Sequence, residues 1–143
     1  MPTAKTSVKL VCFDLGGVLV RIAKGWVDAC ERAGVDLPHA NDALWARHQQ
    51  LMLRYETGEI DAAGYMAEAP GVIGAGVKPE AILKVFDAWL LGMYPGAPEL
   101  LDELSARGFK TACLSNTNEH HWNIGAHCRK TAGDRSGVTP GVW

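Results

Sequence analysis

Two short stretches hold the residues best placed to do chemistry. In Val8–Val20 (V-K-L-V-C-F-D-L-G-G-V-L-V) an apolar run ends in one carboxylate, Asp14, followed closely by Gly16 and Gly17. In Phe109–Asn118 (F-K-T-A-C-L-S-N-T-N) a second run ends in Ser115 and Asn116. A carboxylate is costly to bury unless something binds it, and glycines let the backbone approach whatever it touches. Asp14 is therefore a candidate nucleophile. Its attack on phosphorus would give an aspartyl-phosphate and split one hard displacement into two easier ones. One carboxylate oxygen could hold Mg²⁺ while the other attacks, and the Gly16 carbonyl is a candidate second oxygen ligand. The Ser115 hydroxyl, the Asn116 side chain and the N–H groups of the two turns, that of Gly17 among them, are candidates to hold phosphate oxygens. Each residue also has a plain structural reading. Asp14 could cap a turn, Gly16-Gly17 could form an ordinary turn, and Ser115-Asn116-Thr117 could cap a helix starting near Glu119. For Ser115-Asn116-Thr117 the capping and phosphate-holding roles are compatible, since helix N-termini also bind phosphate.

This chemistry needs both runs to be neighbouring strands of one parallel sheet, so that Asp14 and Ser115 emerge side by side. Both runs are short, apolar and rich in β-formers, which predicts buried strands. In open α/β sheets the carboxyl ends of strands are where ligands bind. Between the runs the pattern is helical. Arg21–Ala33 is expected to be a helix stopped by Gly34. Asn41 is a candidate N-cap for a helix to about Glu56, with Leu44, Trp45, His48, Leu51, Met52 and Tyr55 on one face. Asp61 is expected to cap a short helix to Glu68, and Pro70–Val77 reads as a Gly-rich loop. Pro79 suits a first helical turn, with Ile82, Phe86 and Trp89 forming a stripe up to Gly92. Pro98 opens a helix that Gly108 closes. A β-α-β crossover needs only one helix, so the excess, about Ile22–Met93, reads as a helical insertion. Trp26, Trp45 and Trp89 are assigned to its core. Gly71–Gly76 follows no strand, which argues against a dinucleotide loop. The segment Gly125–Trp143 shows no period and is expected to be irregular, with Arg129, Lys130 and Arg135 solvated.

Composition narrows the class. The chain has 143 residues, 48% hydrophobic and 21% charged, as expected of a globular domain. A net charge of −2 gives no case for nucleic acid or an anionic membrane as partner. No stretch approaches the roughly 20 apolar residues that span a bilayer. Asp14 interrupts the only early apolar run and no small-residue cleavage site follows, so no secretory leader is expected. Cys12, Cys30, Cys113 and Cys128 lack CxxC spacing and are expected to be reduced, buried thiols of a cytoplasmic protein. His120-His121 with His127-Cys128 matches no standard zinc spacing and reads as a solvated helix face.

The order D-L-G-G-V-L, then L-S-N-T-N, each after an apolar strand, resembles motifs I and II of the haloacid dehalogenase-like (HAD) hydrolase superfamily. The spacing resembles members with a helical cap inserted after motif I, and R-Y-E-T-G-E-I, Arg54–Ile60, resembles the cap of sugar-phosphate phosphatases in that group. The resemblance covers about Val8–Trp122. It implies an α/β fold, a Rossmann-like core with an incomplete parallel sheet and an inserted α-helical cap. The core would comprise residues 1–20 and 95–143 and the cap 21–94. It also implies Mg²⁺-dependent hydrolysis of a small phosphorylated metabolite. Asp14 would be nucleophile and metal ligand, Gly16 would bind metal through its carbonyl, and Ser115, with Asn116 adjacent, would hold the phosphoryl group.

Two departures qualify this expectation. Family phosphatases usually carry a second Asp two positions after the nucleophile, where this chain has Gly16, which cannot move a proton. The family also uses a Lys (motif III) and an acidic pair (motif IV) well beyond motif II. Lys130 and Gly133-Asp134 sit too close to motif II to match them, so both motifs are expected to be missing. A core of roughly seventy residues is marginal on its own. The alternatives are thus a shortened, catalytically silent derivative or binding module, or haloacid dehalogenase chemistry with Asp14 attacking carbon.

Overall fold

The computed structural model describes residues 8–37 and 42–130, with side chains for all of these except 42–45 and 125–130. The elements run β1 (Leu10–Phe13), β2 (Val20–Ile22), α1 (Trp26–Ala33), α2 (Asp42–Glu56), α3 (Ala62–Ile73), α4 (Pro79–Trp89), β3 (Leu90–Met93), α5 (Ala97–Ala106), β4 (Lys110–Cys113) and α6 (Glu119–Lys130). They form two compact units. Among the described residues, one holds those up to Ile22 together with Leu91–Ser115, and the other holds those of Ala23–Leu90 and from Asn116 to Lys130.

In the first unit β1 and β4 pair in parallel, with Leu10 opposite Lys110 and Phe13 opposite Cys113. This is the expected α/β arrangement with a small parallel sheet. Helix α5 packs on β4. It starts where Gly96 turns at φ 84° and Pro98 occupies the first turn, a position that needs no N–H donor. The expected burial of the strands is not observed. Val11, Phe13 and Cys113 are half-buried, but Leu10, Cys12, Ala112 and Leu114, which share the opposite face by two-residue alternation, are exposed. Leu10 is 54% exposed and Leu114 59%. A parallel ladder is buried only when elements cover both faces, and two strands with one packed helix cover one. Cys12 is accordingly an exposed thiol, whereas Cys30 is buried, and burial raises its pKa.

A second ribbon was not anticipated. Val20–Ile22 and Leu90–Met93 pair with each other. The Tyr94 N–H donates to the Leu19 carbonyl (2.9 Å), and the Arg21 Nη2 reaches the Leu91 carbonyl (2.7 Å). The expected helix over Arg21–Ala33 therefore begins only at Trp26, and the stripe expected to run to Gly92 leaves the helix after Trp89. Gly92 sits at φ 82°, which a helix does not accommodate.

The second unit is helical. Helix α4 packs on α1, α3 and α6, and α2 packs on α3. Its core includes Trp26, Ala29, Leu51, Tyr55, Tyr65, Ile82, Val85 and Phe86. Of the predicted α2 face, His48, Leu51 and Tyr55 are buried and Met52 is half-buried. The Asn41 cap and the side chains of Leu44 and Trp45 lie outside the described residues. Trp89 is half-buried against the core. Gly34 ends α1 in the left-handed conformation, as its position predicts. Asp61 caps α3, accepting the Gly64 N–H at 2.8 Å. That helix does not stop at Glu68 but runs through Pro70 to Ile73. Burial of Ala69 and Ile73 outweighs the hydrogen bond that the missing proline N–H forfeits.

Among the described residues after Asn116, helix α6 packs on α4. Backbone helix continues to Lys130, so the irregular structure expected from Gly125 is not found up to that residue. Residues 131–143, Asp134 and Arg135 among them, lie outside the described residues.

Candidate active site

Asp14 and Ser115 each leave the sheet at the carboxyl end of one of two paired strands. Phe13 faces Cys113 in register, and the Leu114 N–H donates to the Phe13 carbonyl at 2.9 Å. Asp14 therefore stands level with Leu114, and Ser115 is one residue further. Asp14 is exposed and Ser115 half-buried. The Leu15 N–H donates to Asp14 Oδ1 at 2.7 Å, which fixes the rotation of the carboxylate.

The loop after Asp14 closes on itself. The Leu15 carbonyl accepts from the N–H groups of Val18, Leu19 and Val20 at 3.2, 3.0 and 2.8 Å. Gly17 turns at φ 75°, and its N–H donates to the Val20 carbonyl at 2.8 Å. The amide expected to face a phosphate is thus engaged within the loop. A Cβ on Gly16 would meet only the Ile22 side chain, at 3.5 Å, which is ordinary contact. The glycine there is not required by space.

Asn116 is exposed and follows Ser115 in the chain. The helix cap expected at Ser115–Thr117 falls instead on Asn118. Its carbonyl accepts the Trp122 N–H (2.9 Å), and its Oδ1 accepts the His121 N–H (2.9 Å). Asn118 was overlooked although an Asn directly before Glu119 is a standard start signal.

His120 and His121 do not lie on a solvated face. His120 Nε2 meets Asp87 at 2.8 Å, and its backbone N–H donates to the Tyr55 hydroxyl at 3.2 Å. His121 Nε2 meets the Phe86 carbonyl at 3.0 Å. The side chains of His127 and Cys128 lie outside the described residues, and no group of three or more His, Cys, Asp or Glu gathers among the described ones. A further buried pair, His48 and Tyr65, joins Nε2 to the hydroxyl at 2.7 Å. Among the described residues no helix is long and apolar enough to cross a membrane.

Comparison with known proteins extends this picture. A HAD family enzyme from Bacteroides thetaiotaomicron, solved in complex with magnesium and inorganic phosphate, superposes with a TM-score of 0.60 at 22% identity. It is matched over 82% of this chain and 57% of its own length. A second structure of that enzyme gives a TM-score of 0.65 at 23% identity over the same shares. A predicted HAD-like family hydrolase from Porphyromonas gingivalis gives 0.59 at 19% identity, over 82% of this chain and 55% of its own. The chain thus spans little more than half the length of these neighbours, and at such identities the likeness speaks for the fold. No curated protein matches by sequence. The model of the haloacid dehalogenase-like hydrolases matches residues 8–135, which include both strand ends and everything between them. With Asp14 and Ser115 just past the ends of adjacent parallel strands, the chain belongs to the haloacid dehalogenase-like hydrolase family.

Proposed function

We propose that the function is Mg²⁺-dependent hydrolysis of a small phosphorylated metabolite, in the cytoplasm, through an aspartyl-phosphate on Asp14. The observation that carries this reading is the register of β1 with β4, which sets a carboxylate and a hydroxyl at neighbouring strand ends. An Asp14 oxygen attacks phosphorus, and the ester P–O bond breaks. The leaving oxygen departs with its electron pair and takes its proton from water, because Gly16 has none to give. Water then attacks the phosphorus of the aspartyl-phosphate, which releases inorganic phosphate and restores the carboxylate. The Ser115 hydroxyl and the Asn116 amide donate to phosphoryl oxygens. The helical segment inserted after Asp14 takes the part of the substrate-selecting cap.

The residues present fit Mg²⁺. This ion favours hard oxygens and keeps several waters, taking one or two carboxylates and substrate phosphate. Asp14 is an exposed carboxylate and Gly16 offers a carbonyl. When bound, the ion would draw charge from the phosphoryl oxygens. The neighbour solved with magnesium and phosphate supports this reading for the fold.

A second reading is a catalytically silent derivative. It is favoured by the Gly17 N–H, which is spent on Val20, and by the missing acid at Gly16. An aryl phosphate assayed with and without Mg²⁺ separates the two. Turnover that needs the metal and vanishes in Asp14→Asn supports the phosphatase. Absence of turnover at every metal concentration, in protein shown to be folded by circular dichroism, supports the silent derivative.

A further inference from the structure

The start of α6 is held by an arrangement that tolerates only one protonation state of His121. Asn118 is 3% exposed, and its side chain serves two partners there. Its Oδ1 accepts the His121 backbone N–H at 2.9 Å, and its Nδ2 faces His121 Nδ1 at 3.3 Å. His121 Nε2 meets the Phe86 carbonyl at 3.0 Å. A carbonyl only accepts, so Nε2 carries the ring proton. Nδ1 is then a bare acceptor, as the Asn118 amide requires.

A second proton on the ring has no place in this arrangement. With Nδ1 protonated, two donors would face each other, Asn118 Nδ2–H and His121 Nδ1–H. Rotating the Asn118 amide would turn Oδ1 to the ring but set Nδ2 against the backbone N–H of His121. Either way one buried N–H loses its acceptor, and the rotated form gives up the helix cap. We infer that Asn118 and His121 form a proton-operated latch on the helix cap: neutral His121 holds the Asn118 amide on the first turn of α6, and protonation at Nδ1 breaks that cap while the Nε2–H bond to the Phe86 carbonyl remains. This device is independent of any reaction at Asp14.

The charges around His121 come from three elements. On α6, His120 disfavours a second cation and Glu119 lies two residues back. On α4, the Phe86 carbonyl and then Asp87 favour the cation, and on α2 the Tyr55 hydroxyl holds the neighbouring His120 N–H. Burial dominates and lowers the His121 pKa.

The test is proton and nitrogen NMR on the full chain from about pH 8 to pH 4.5, with amide exchange read at each step. The latch predicts that His121 titrates below the ordinary imidazole value. It also predicts that the amides of His121 and Trp122 lose protection at the same midpoint, by about fivefold or more, the change commanded by one helix cap. Asn118→Asp supplies a carboxylate that can accept from both the backbone N–H and protonated Nδ1. In this variant the His121 midpoint should rise by about one unit or more and protection should persist in acid. The Trp26 indole resonance, in the core beside His48, should stay unchanged through the release. Titration of His121 with unaltered α6 protection overturns the latch. So does loss of α6 protection only together with the Trp26 change, or an Asn118→Asp variant that opens like the parent.

Discussion

His48 Nε2 lies 2.7 Å from the Tyr65 hydroxyl, in the interior of the helical unit. The two rings belong to a continuous aromatic cluster. Trp26 meets His48 edge-on with centroids 4.7 Å apart, and Tyr55 stacks on Tyr65 at 5.1 Å. Burial pushes the Tyr65 pKa up and lowers that of His48 to about 4. Both groups are therefore neutral at physiological pH, and the pair is an uncharged hydrogen bond.

A pH dependence of stability follows from His48. The folded protein holds this imidazole below its ordinary value of 6.5, at about 4. Between those limits the unfolded chain binds more protons than the folded one, so stability rises with pH. The contribution is full above about pH 6.5 and is lost as pH falls toward about 4, amounting to something on the order of 3 kcal/mol. The lowered pKa of His121 adds in the same sense. Urea unfolding at about pH 7.5, 5.5 and 4.5 should show falling midpoints, with a flatter trend in His48→Gln. Tyr65→Phe should cost about 1–3 kcal/mol at neutral pH, because a buried nitrogen loses this hydrogen bond.

Asp61 offers a cleaner stability test. Its Oδ1 accepts the Gly64 N–H at 2.8 Å and begins α3, whose Tyr65, Ala69 and Ile73 are buried. Asp61→Ala should destabilise by about 1 kcal/mol, and Asp61→Asn or Asp61→Ser should keep most of the cap. The urea midpoint at constant slope reports it.

Gly16 invites the opposite kind of change. A Cβ there meets Ile22 only at ordinary contact distance, and the backbone lies outside the left-handed region. Gly16→Asp should fold and would supply the carboxyl group that protonates a leaving oxygen. If Asp14 is the nucleophile, turnover of an alkyl phosphate should rise by roughly 10²–10⁴-fold. An aryl phosphate with a good leaving group should gain much less. Comparing the two substrates separates proton donation from a general effect on folding.

How far the sequence is readable depends on the range of the forces that fix each element. Gly34, Pro79, Asp61 and Pro98 act within a turn of themselves, and the structure places each as read. The strands β1 and β4 were legible because each is an apolar run ending in polar residues. Strands β2 and β3 were not, since neither Val20–Ile22 nor Leu90–Met93 shows a period of its own. Each is a strand because the other is beside it, seventy residues away in the chain. Helix α3 was misread at Pro70 because local chemistry argues for a stop there and the burial of Ile73 argues otherwise. At the site, Asp14 and Ser115 could be read from their places at the strand ends. The engagement of Gly17 with Val20 could not, because it depends on how the loop folds back. His120 and His121 looked solvated because their partners, Asp87 and Phe86, lie on a helix more than thirty residues earlier.

The bare side of the β1–β4 ladder governs how this polypeptide behaves in a tube. Leu10, Cys12, Ala112 and Leu114 make an apolar strip, with Lys110 beside Leu10, that water wets poorly and a second copy would cover. Crowding should therefore favour self-association. Cys12 lies exposed on that strip, so oxidation by air would join two copies through a disulfide. Dilution and a reductant should keep the protein dispersed.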